Sequence, residues 1–339
     1  MTGGTERKLR LPEGRIFVRE VGTGPTVLLI NGLGAHTGMW EALERTLAGF
    51  RIVEFDLPGA GRSDVPWKPV SVPRLARLTA SVMDAVGANS AHVLGYSMGG
   101  IVAQQLCADM PGRVDRLVLV ASSPGVGGLQ GDFKAMLSIA TPARYLSRRA
   151  YGLTIGSLAG GRARYDAAWV DEHGALRLKY APTWRGYFGQ LISLVTWSGL
   201  PLLSRIEHPV LVVAGDDDPL TPVVNGMLLA SMLPNGRLLV CAGEGHLMVM
   251  DADSAAQPAI HEFLSVDRLD HAEVWRESAT ITSEELEKAL RTGPLQLPPW
   301  SIINSAARRR WLTAQPTASP STRDEPELRL VADRARRGR

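Results

Sequence analysis

The stretch VLGYSMGGIVAQQL, Val93–Leu106, decides how the chain is read. Up to Gly95 the residues have the apolar, β-branched character of a short buried strand. After Ser97, the residues Ile101, Val102, Gln105 and Leu106 recur at helical spacing, and Pro111-Gly112 ends the run. Gly95-Tyr96-Ser97-Met98-Gly99 therefore reads as strand, sharp turn and helix, with one hydroxyl at the corner. The flanking glycines, Gly95 and Gly99, suit a turn too tight to hold a Cβ atom. The pentapeptide alone also fits a serine that merely caps a helix. The rest of the chain has to decide.

The 339 residues, 45% apolar and 21% charged, are enough for a full core. Strand-like runs at Thr26–Asn31, Arg51–Asp56, Ala91–Gly95, Arg116–Ala121, Val210–Gly215 and Arg237–Ala242 alternate with helical patterns such as Met39–Leu47, Arg74–Val86 and Met98–Asp109. That alternation predicts an α/β fold, a mostly parallel, doubly wound sheet covered on both faces. Arg15–Val21 is expected as an antiparallel edge strand, joined to the next run by Gly22-Thr23-Gly24-Pro25.

Between Pro124 and Arg205 the rhythm breaks, and two strands that should be neighbours lie roughly eighty residues apart. The reading is a core over 14–123 and 206–265 with a helical lid inserted at 124–205. The lid carries Tyr145, Tyr151, Tyr165, Trp169, Tyr180, Trp184, Tyr187, Phe188 and Trp197. Most of these rings are expected to pack the lid's own core and a few to face a substrate cavity. Residues 266–339 form an extension. Within it Ser283–Arg291 predicts a short helix, acidic at its start and basic at its end. Trp300–Leu312 mixes apolar residues with an arginine cluster, and the Pro-, Ser- and charge-rich segment beyond reads as disordered.

A net charge of +3 makes no global electrostatic case for nucleic acid. No apolar h-region follows the basic start and no run is long enough to span a bilayer, so a cytoplasmic protein is expected. Cys107 and Cys241 read as buried free thiols. Neither has metal-ligand spacing. The Gly-rich loop Asp56–Ser63 lacks the Walker lysine, and Gly22-x-Gly24 lacks the third glycine of a dinucleotide fingerprint. No cofactor and no metal are therefore expected. Asp56–Ser63 reads as a structural loop.

A serine hydroxyl needs a base within hydrogen-bond reach, and the base needs a third group to orient it. Both partners follow in the order serine, acid, histidine. One strand runs into Asp216-Asp217-Asp218-Pro219, and a later one into Glu244-Gly245-His246. Of the seven histidines, His246 alone follows a late strand in a Gly-flanked loop able to return to the corner. His36 is a weaker candidate; His92, His173, His208, His261 and His271 suit structural or solvent roles. Acyl transfer also needs donors aimed at the developing oxyanion. The backbone N–H groups of Met98 and of Leu33, in the loop Asn31–Gly34, are the candidates.

With these residues in order, the chain resembles the α/β-hydrolases over about Gly14 to Leu264. Within them it is similar to intracellular medium-chain polyhydroxyalkanoate depolymerases, through VGTGPTVLLINGLGA, FDLPGAGRSDVP, GYSMGGIVAQQLCADMPGRVDRLVLVASSPG, TPARY, GYFGQLISLVTW and VLVVAGDDDPLTPVVNGMLLASMLPN. That family often carries tryptophan after the serine, where this chain has Met98. The resemblance selects Asp218 as the acid, three residues past the strand's glycine. It implies a serine hydrolase that cleaves an apolar acyl ester, small or polymeric, with Ser97 as nucleophile, His246 as base and Asp218 orienting it. The same three groups also serve lipases, general carboxylesterases, perhydrolases and carbon–carbon hydrolases. A granule or lipid-droplet surface is a candidate partner, with a solvated basic tail the expected outcome, and an idle protein that sits on such inclusions through its lid and basic tail is the reading from a different class. Truncation after Leu264 is expected to spare hydrolysis of soluble esters. Oligomeric state is not readable from these residues.

Overall fold

The computed structural model describes residues 4–292. Its centre is an eight-stranded sheet made of β1 (Thr5–Leu11), β2 (Gly14–Val21), β3 (Thr26–Ile30), β4 (Arg51–Phe55), β5 (Ala91–Tyr96), β6 (Val114–Val120), β7 (Val210–Gly215) and β8 (Gly236–Cys241). The strands lie in the order β1-β2-β4-β3-β5-β6-β7-β8; β3 to β8 are parallel, and β1 and β2 are antiparallel. The predicted α/β sheet is the one observed.

Alternation along each central strand explains why these runs are apolar throughout. Leu28 and Ile30 of β3 enter one core, with Leu75 and Met83 of α2 (Val72–Ala85), Val102 and Leu106 of α3 (Met98–Asp109), and Leu229 of α8 (Val223–Met232). Val27 and Leu29 enter the opposite core, with Leu43 of α1 (Glu41–Thr46) and Ile260 and Phe263 of α9 (Ala256–Ser265). A strand buried on both faces has no polar side to show.

Two expectations need correction. The Arg15–Val21 run is β2 but not the edge, because β1 pairs along its whole length outside it. β1 is TERKLRL and mostly exposed, so its charged residues hide the strand from a hydrophobic reading. The Gly22–Pro25 turn does lead into β3, yet β2 pairs with β4, and β3 lies beyond that.

The second correction concerns the chain after Leu264. Residues 266–292 continue the packed body through α10 (Glu273–Glu277) and α11 (Ser283–Thr292), the helix expected at 283–291. Leu238 of β8 exchanges backbone hydrogen bonds with Ala279, at 2.8 and 2.9 Å, so the segment covers part of the last strand's edge. Ala272, Val274, Ile281 and Leu286 are buried. The Trp300–Leu312 segment and the tail beyond it lie outside the described residues.

Between β6 and β7 the chain forms α4 (Phe133–Ile139), α5 (Arg148–Ala159), α6 (Ala167–Leu178) and α7 (Trp184–Val195). Contacts from these helices reach the loops at the C-terminal ends of the strands. Gly186 of α7 lies against Gly59, and Gly160 and Gly161, just past α5, lie against Asp217 and Gly245. Among the described residues no helix is long and apolar enough to cross a membrane.

Truncation after Leu264 is now expected to destabilise the protein rather than leave it intact. Val274, Ile281 and Leu286 each represent about 1.5–3 kcal/mol of burial. Loss of all three lowers the melting temperature by about 10 °C or more. An unchanged melting curve for the truncated protein would refute this packing role.

Candidate active site

β3 and β4 run off to one side of the sheet and β5 and β6 to the other, so the chain reverses its winding between β3 and β5. In open parallel sheets a crevice forms at such a point, outside the strands' carboxyl ends. The loop after β3 and the turn after β5 meet there. Ser97 sits in that turn with φ 53° and ψ −117°, a backbone conformation that few side-chain-bearing residues adopt. Two main-chain ties hold it: its N–H donates to the Val120 carbonyl at 2.9 Å, and its carbonyl accepts from Ser122 Oγ at 3.0 Å. The glycines are needed for close approach. A Cβ at Gly99 would sit 1.9 Å from the Ile30 carbonyl oxygen, and one at Gly95 would sit 2.5 Å from Gly100 Cα.

The three residues singled out from the sequence come together. His246 Nδ1 lies 2.7 Å from Asp218 Oδ2, and His246 Nε2 lies 3.1 Å from Ser97 Oγ. Asp218 is fixed from its other side, where Oδ1 accepts the N–H groups of Leu220 at 2.9 Å and Thr221 at 2.8 Å. His246 is buried, its ring centroid 5.3 Å from that of Tyr96. The neighbouring aspartates have other work. Asp216 accepts the Gly243 N–H in the histidine loop, and Asp217 accepts the Gly161 N–H and Arg164 Nε from the inserted segment. Three consecutive carboxylates thus tie this turn to two other pieces of chain, the histidine loop and the inserted segment.

Met98 and Leu33 each share a cavity wall with Ser97, and no backbone or side-chain acceptor among the described residues takes the N–H of Leu33. The peptide that follows Leu33 is held at both ends by the inserted helices. The Leu33 carbonyl accepts from Arg177 Nη2 at 3.2 Å and faces Tyr145 Oη, which also donates to the Gly34 carbonyl at 3.2 Å. Gly34 N–H donates to Gln190 Oε1 at 2.9 Å. Sequence reasoning missed this clamp. TPARY and GYFGQ contain Tyr145 and Gln190, but nothing in ALRLKY marks Arg177.

Ser97 lies between two cavities. One is a chamber of about 30 Å³, lined by Leu33, Tyr96, Ile155, Leu158, Arg177 and His246 among others. It has room for no more than about two waters. The other, about 260 Å³, is a mostly apolar cleft lined by Met98, Ile101, Leu191, Leu194 and Val195. Ile139 and Leu220 line both and form the partition. None of the nine lid aromatics lines either cavity, against the expectation that a few would. Buried phenols need hydrogen-bond partners, and Tyr145 and Tyr187 use theirs to join backbone segments. Tyr165 and Trp184 are exposed.

The remaining candidates are structural. Asp56 accepts the N–H groups of Thr37 and Arg62, both at 2.7 Å, and ties the loop after β4 to the loop after β3. His36 is buried beside the Leu176 carbonyl, at 3.0 Å, and His173 is stacked on Trp169 within α6 rather than solvated. Burial lowers the pKa of His36 to about 4 and that of His173 to about 3. Cys107 and Cys241 are free and buried.

Comparison with known proteins agrees with this architecture. The model described as alpha/beta hydrolase fold matches residues 25–146, and that of the TAP-like proteins matches residues 200–275. A poly(3-hydroxyalkanoate) depolymerase of Ectopseudomonas oleovorans is 34% identical over 243 residues, covering 71% of this chain and 85% of that one. The chain belongs to the α/β-hydrolase family. A hydrolase from Pseudomonas aeruginosa PA01 superposes on this α/β-hydrolase with a TM-score of 0.67 at 27% identity, covering 77% of this chain and 98% of that one. The enol-lactonase of Burkholderia xenovorans LB400 shares the fold at 21% identity, with a TM-score of 0.67 over 77% of this chain and all of its own.

Two outcomes test the geometry. Gly99→Ala in this hydrolase forces a methyl group onto the Ile30 carbonyl and costs about 3 kcal/mol or more, read as a lowered denaturant midpoint; a neutral effect would show that the approach is not close. For His173, the unfolded chain takes up its proton near pH 6.5 while the folded one resists until about pH 3. Its contribution to stability is therefore full above pH 6.5 and is lost as pH falls toward 3. The buried Glu54 and Asp56, raised by desolvation, act in the opposite sense. The histidine contribution is read as the difference between wild type and His173→Phe, whose melting temperature falls less between pH 7 and pH 5. Parallel slopes would remove the histidine from the account.

Proposed function

We propose that this α/β-hydrolase cleaves apolar acyl esters through a covalent acyl-enzyme on Ser97, with hydroxyalkanoate esters as the substrate class. The observation that carries the reading is the continuous relay from Asp218 through His246 to Ser97 at the mouth of an apolar cleft. Similarity to a poly(3-hydroxyalkanoate) depolymerase supports the substrate class.

In this reading Asp218 accepts the Nδ1 proton of His246, which leaves the Nε2 lone pair facing Ser97 Oγ. Oγ attacks the ester carbonyl carbon as its proton passes to Nε2. The carbonyl oxygen, now negative, takes the N–H groups of Met98 and Leu33. The carbon–oxygen bond to the alcohol breaks and the alcohol leaves with the proton from Nε2. Water then repeats the sequence on the acyl-enzyme and releases the acid, and Ser97 recovers its proton.

The greasy substrate also accounts for the outer surface of α7. Trp184, Phe188, Ile192 and Val195 recur at helical spacing and are exposed, and Val195 also lines the cleft. An apolar stripe beside the cleft suits a granule or lipid surface as the place of work.

A fluorophosphonate probe is expected to label Ser97, and Ser97→Ala to lose the adduct and about 10⁴-fold or more in kcat while keeping its melting temperature. Retained turnover would overturn the nucleophile. Rates on p-nitrophenyl esters are expected to rise from acetyl to medium acyl chains. Release of hydroxy acids from polyhydroxyalkanoate, measured beside fatty-acid release from a triacylglycerol emulsion, separates this substrate class from lipid esters.

A further inference from the structure

Two guanidinium groups are buried behind Ser97, in the segment between β6 and β7. Arg144, 2% exposed, lines the small chamber too: Nη1 donates to the carbonyls of Ser138 and Thr141 and to Tyr187 Oη, the cation lies over the rings of Tyr145 and Tyr187, and Nε is buried with no partner. Arg177, 6% exposed, is the one of the two that also holds the loop after β3. Its Nε and Nη2 donate to Tyr145 Oη at 3.2 and 2.9 Å, and Nη2 also donates to the Leu33 carbonyl at 3.2 Å. Nη1 is buried with no partner. Every partner of Arg177 is a neutral oxygen, and the residue lines the small chamber together with Ser97 and His246. A buried cation is costly unless an anion faces it.

Tyr145 could itself supply the anion as a phenolate. Burial opposes its ionisation, and the charges of Arg177 and Arg144 outweigh that and lower its pKa. Its oxygen, however, also lies 3.2 Å from the Gly34 carbonyl and 3.5 Å from that of Leu33. A phenolate would meet two acceptor oxygens with no proton to offer them, whereas a phenol has one. The phenol is the better fit, and the charge of Arg177 stays unmatched within the protein.

We propose that Arg177 is the recognition site for a carboxylate on the substrate, so that the ester cleaved at Ser97 carries a free carboxylate a few bonds from the scissile group. This rests on Ser97 being the nucleophile. The two cavities divide such a molecule in a natural way. The 260 Å³ cleft takes the apolar arm, and the 30 Å³ chamber has room for the carboxylate group alone, with the carbons that link it to the ester staying beside Ser97. The preferred hydroxyalkanoate is then a short oligoester approached from its acid end, not the interior of a polymer chain. With Nε and Nη2 engaged, Nη1 is the donor left for the carboxylate, in a charge-assisted hydrogen bond.

Matched substrates test this. Butanoate release from 3-(butanoyloxy)butanoate is compared with release from its neutral carboxamide. Wild type is expected to favour the acid at least tenfold in kcat/KM. Arg177→Gln brings that ratio near one and Arg177→Lys restores part of it, beyond any loss common to both substrates from slackening of the Leu33 loop. Equal rates on the two substrates in wild type, or an unchanged ratio in Arg177→Gln, would overturn the proposal even if a variant folded poorly, since the wild-type ratio stands alone. Binding without chemistry separates the two readings. Calorimetric titration of Ser97→Ala with hexanoate is expected to show an affinity that falls at least tenfold in Ser97→Ala/Arg177→Gln. If wild type turns over neither ester and hexanoate binding still depends on Arg177, the carboxylate site stands and the hydrolytic reading falls. Turnover indifferent to the carboxylate does the reverse.

Discussion

Helix α3 reaches the sheet only because Gly99 has no side chain. Its Cα lies so near the end of β3 that an added methyl group would occupy the Ile30 carbonyl oxygen. The approach places Ser97 beside the β3 loop, and the reach of His246 depends on that position. The same approach forces Ser97 into its unusual backbone conformation. Local strain of this kind persists only where surrounding structure holds it, and the bonds to Val120 and Ser122 show what does so.

The segment between β6 and β7 is more than a cover. Its Ala159 carbonyl accepts the His246 N–H, its Gly161 N–H binds Asp217, and Arg177, Tyr145 and Gln190 hold the peptide after Leu33. Movement of these helices would therefore alter the arrangement of Ser97, His246 and the Leu33 loop together with access to it. The partition of Ile139 and Leu220 between the two cavities is part of the same arrangement, since Ile139 ends α4 and Leu220 follows Asp218.

Charge is distributed unevenly around Ser97. On the side of the acid, Asp218 is fully satisfied by two backbone N–H groups and the imidazole. On the opposite side, Arg177 is satisfied only by neutral oxygens and keeps a bare donor. Its charge is retained because a guanidinium does not give up its proton inside a protein.

Much of this protein was legible in its residues. A strand buried on both faces must be apolar at every position, so β3, β5 and β7 announced themselves, and with them the sheet. A glycine–serine–glycine corner between strand and helix, followed by a run of acids and a histidine after later strands, pointed to Ser97 and His246, and the family resemblance chose Asp218 among the three acids. Those signals are local or ordered along the chain. What stayed hidden is non-local. β1 is charged and exposed, and only pairing with β2 makes it a strand. The packing of residues 266–292 on β8 and α8 depends on surfaces more than thirty residues away. Arg177 looks like any helix arginine until α6 buries it 144 positions from the Leu33 carbonyl it grips. Periodicity records which face of an element is covered, but the partner that covers it is set by three-dimensional packing alone.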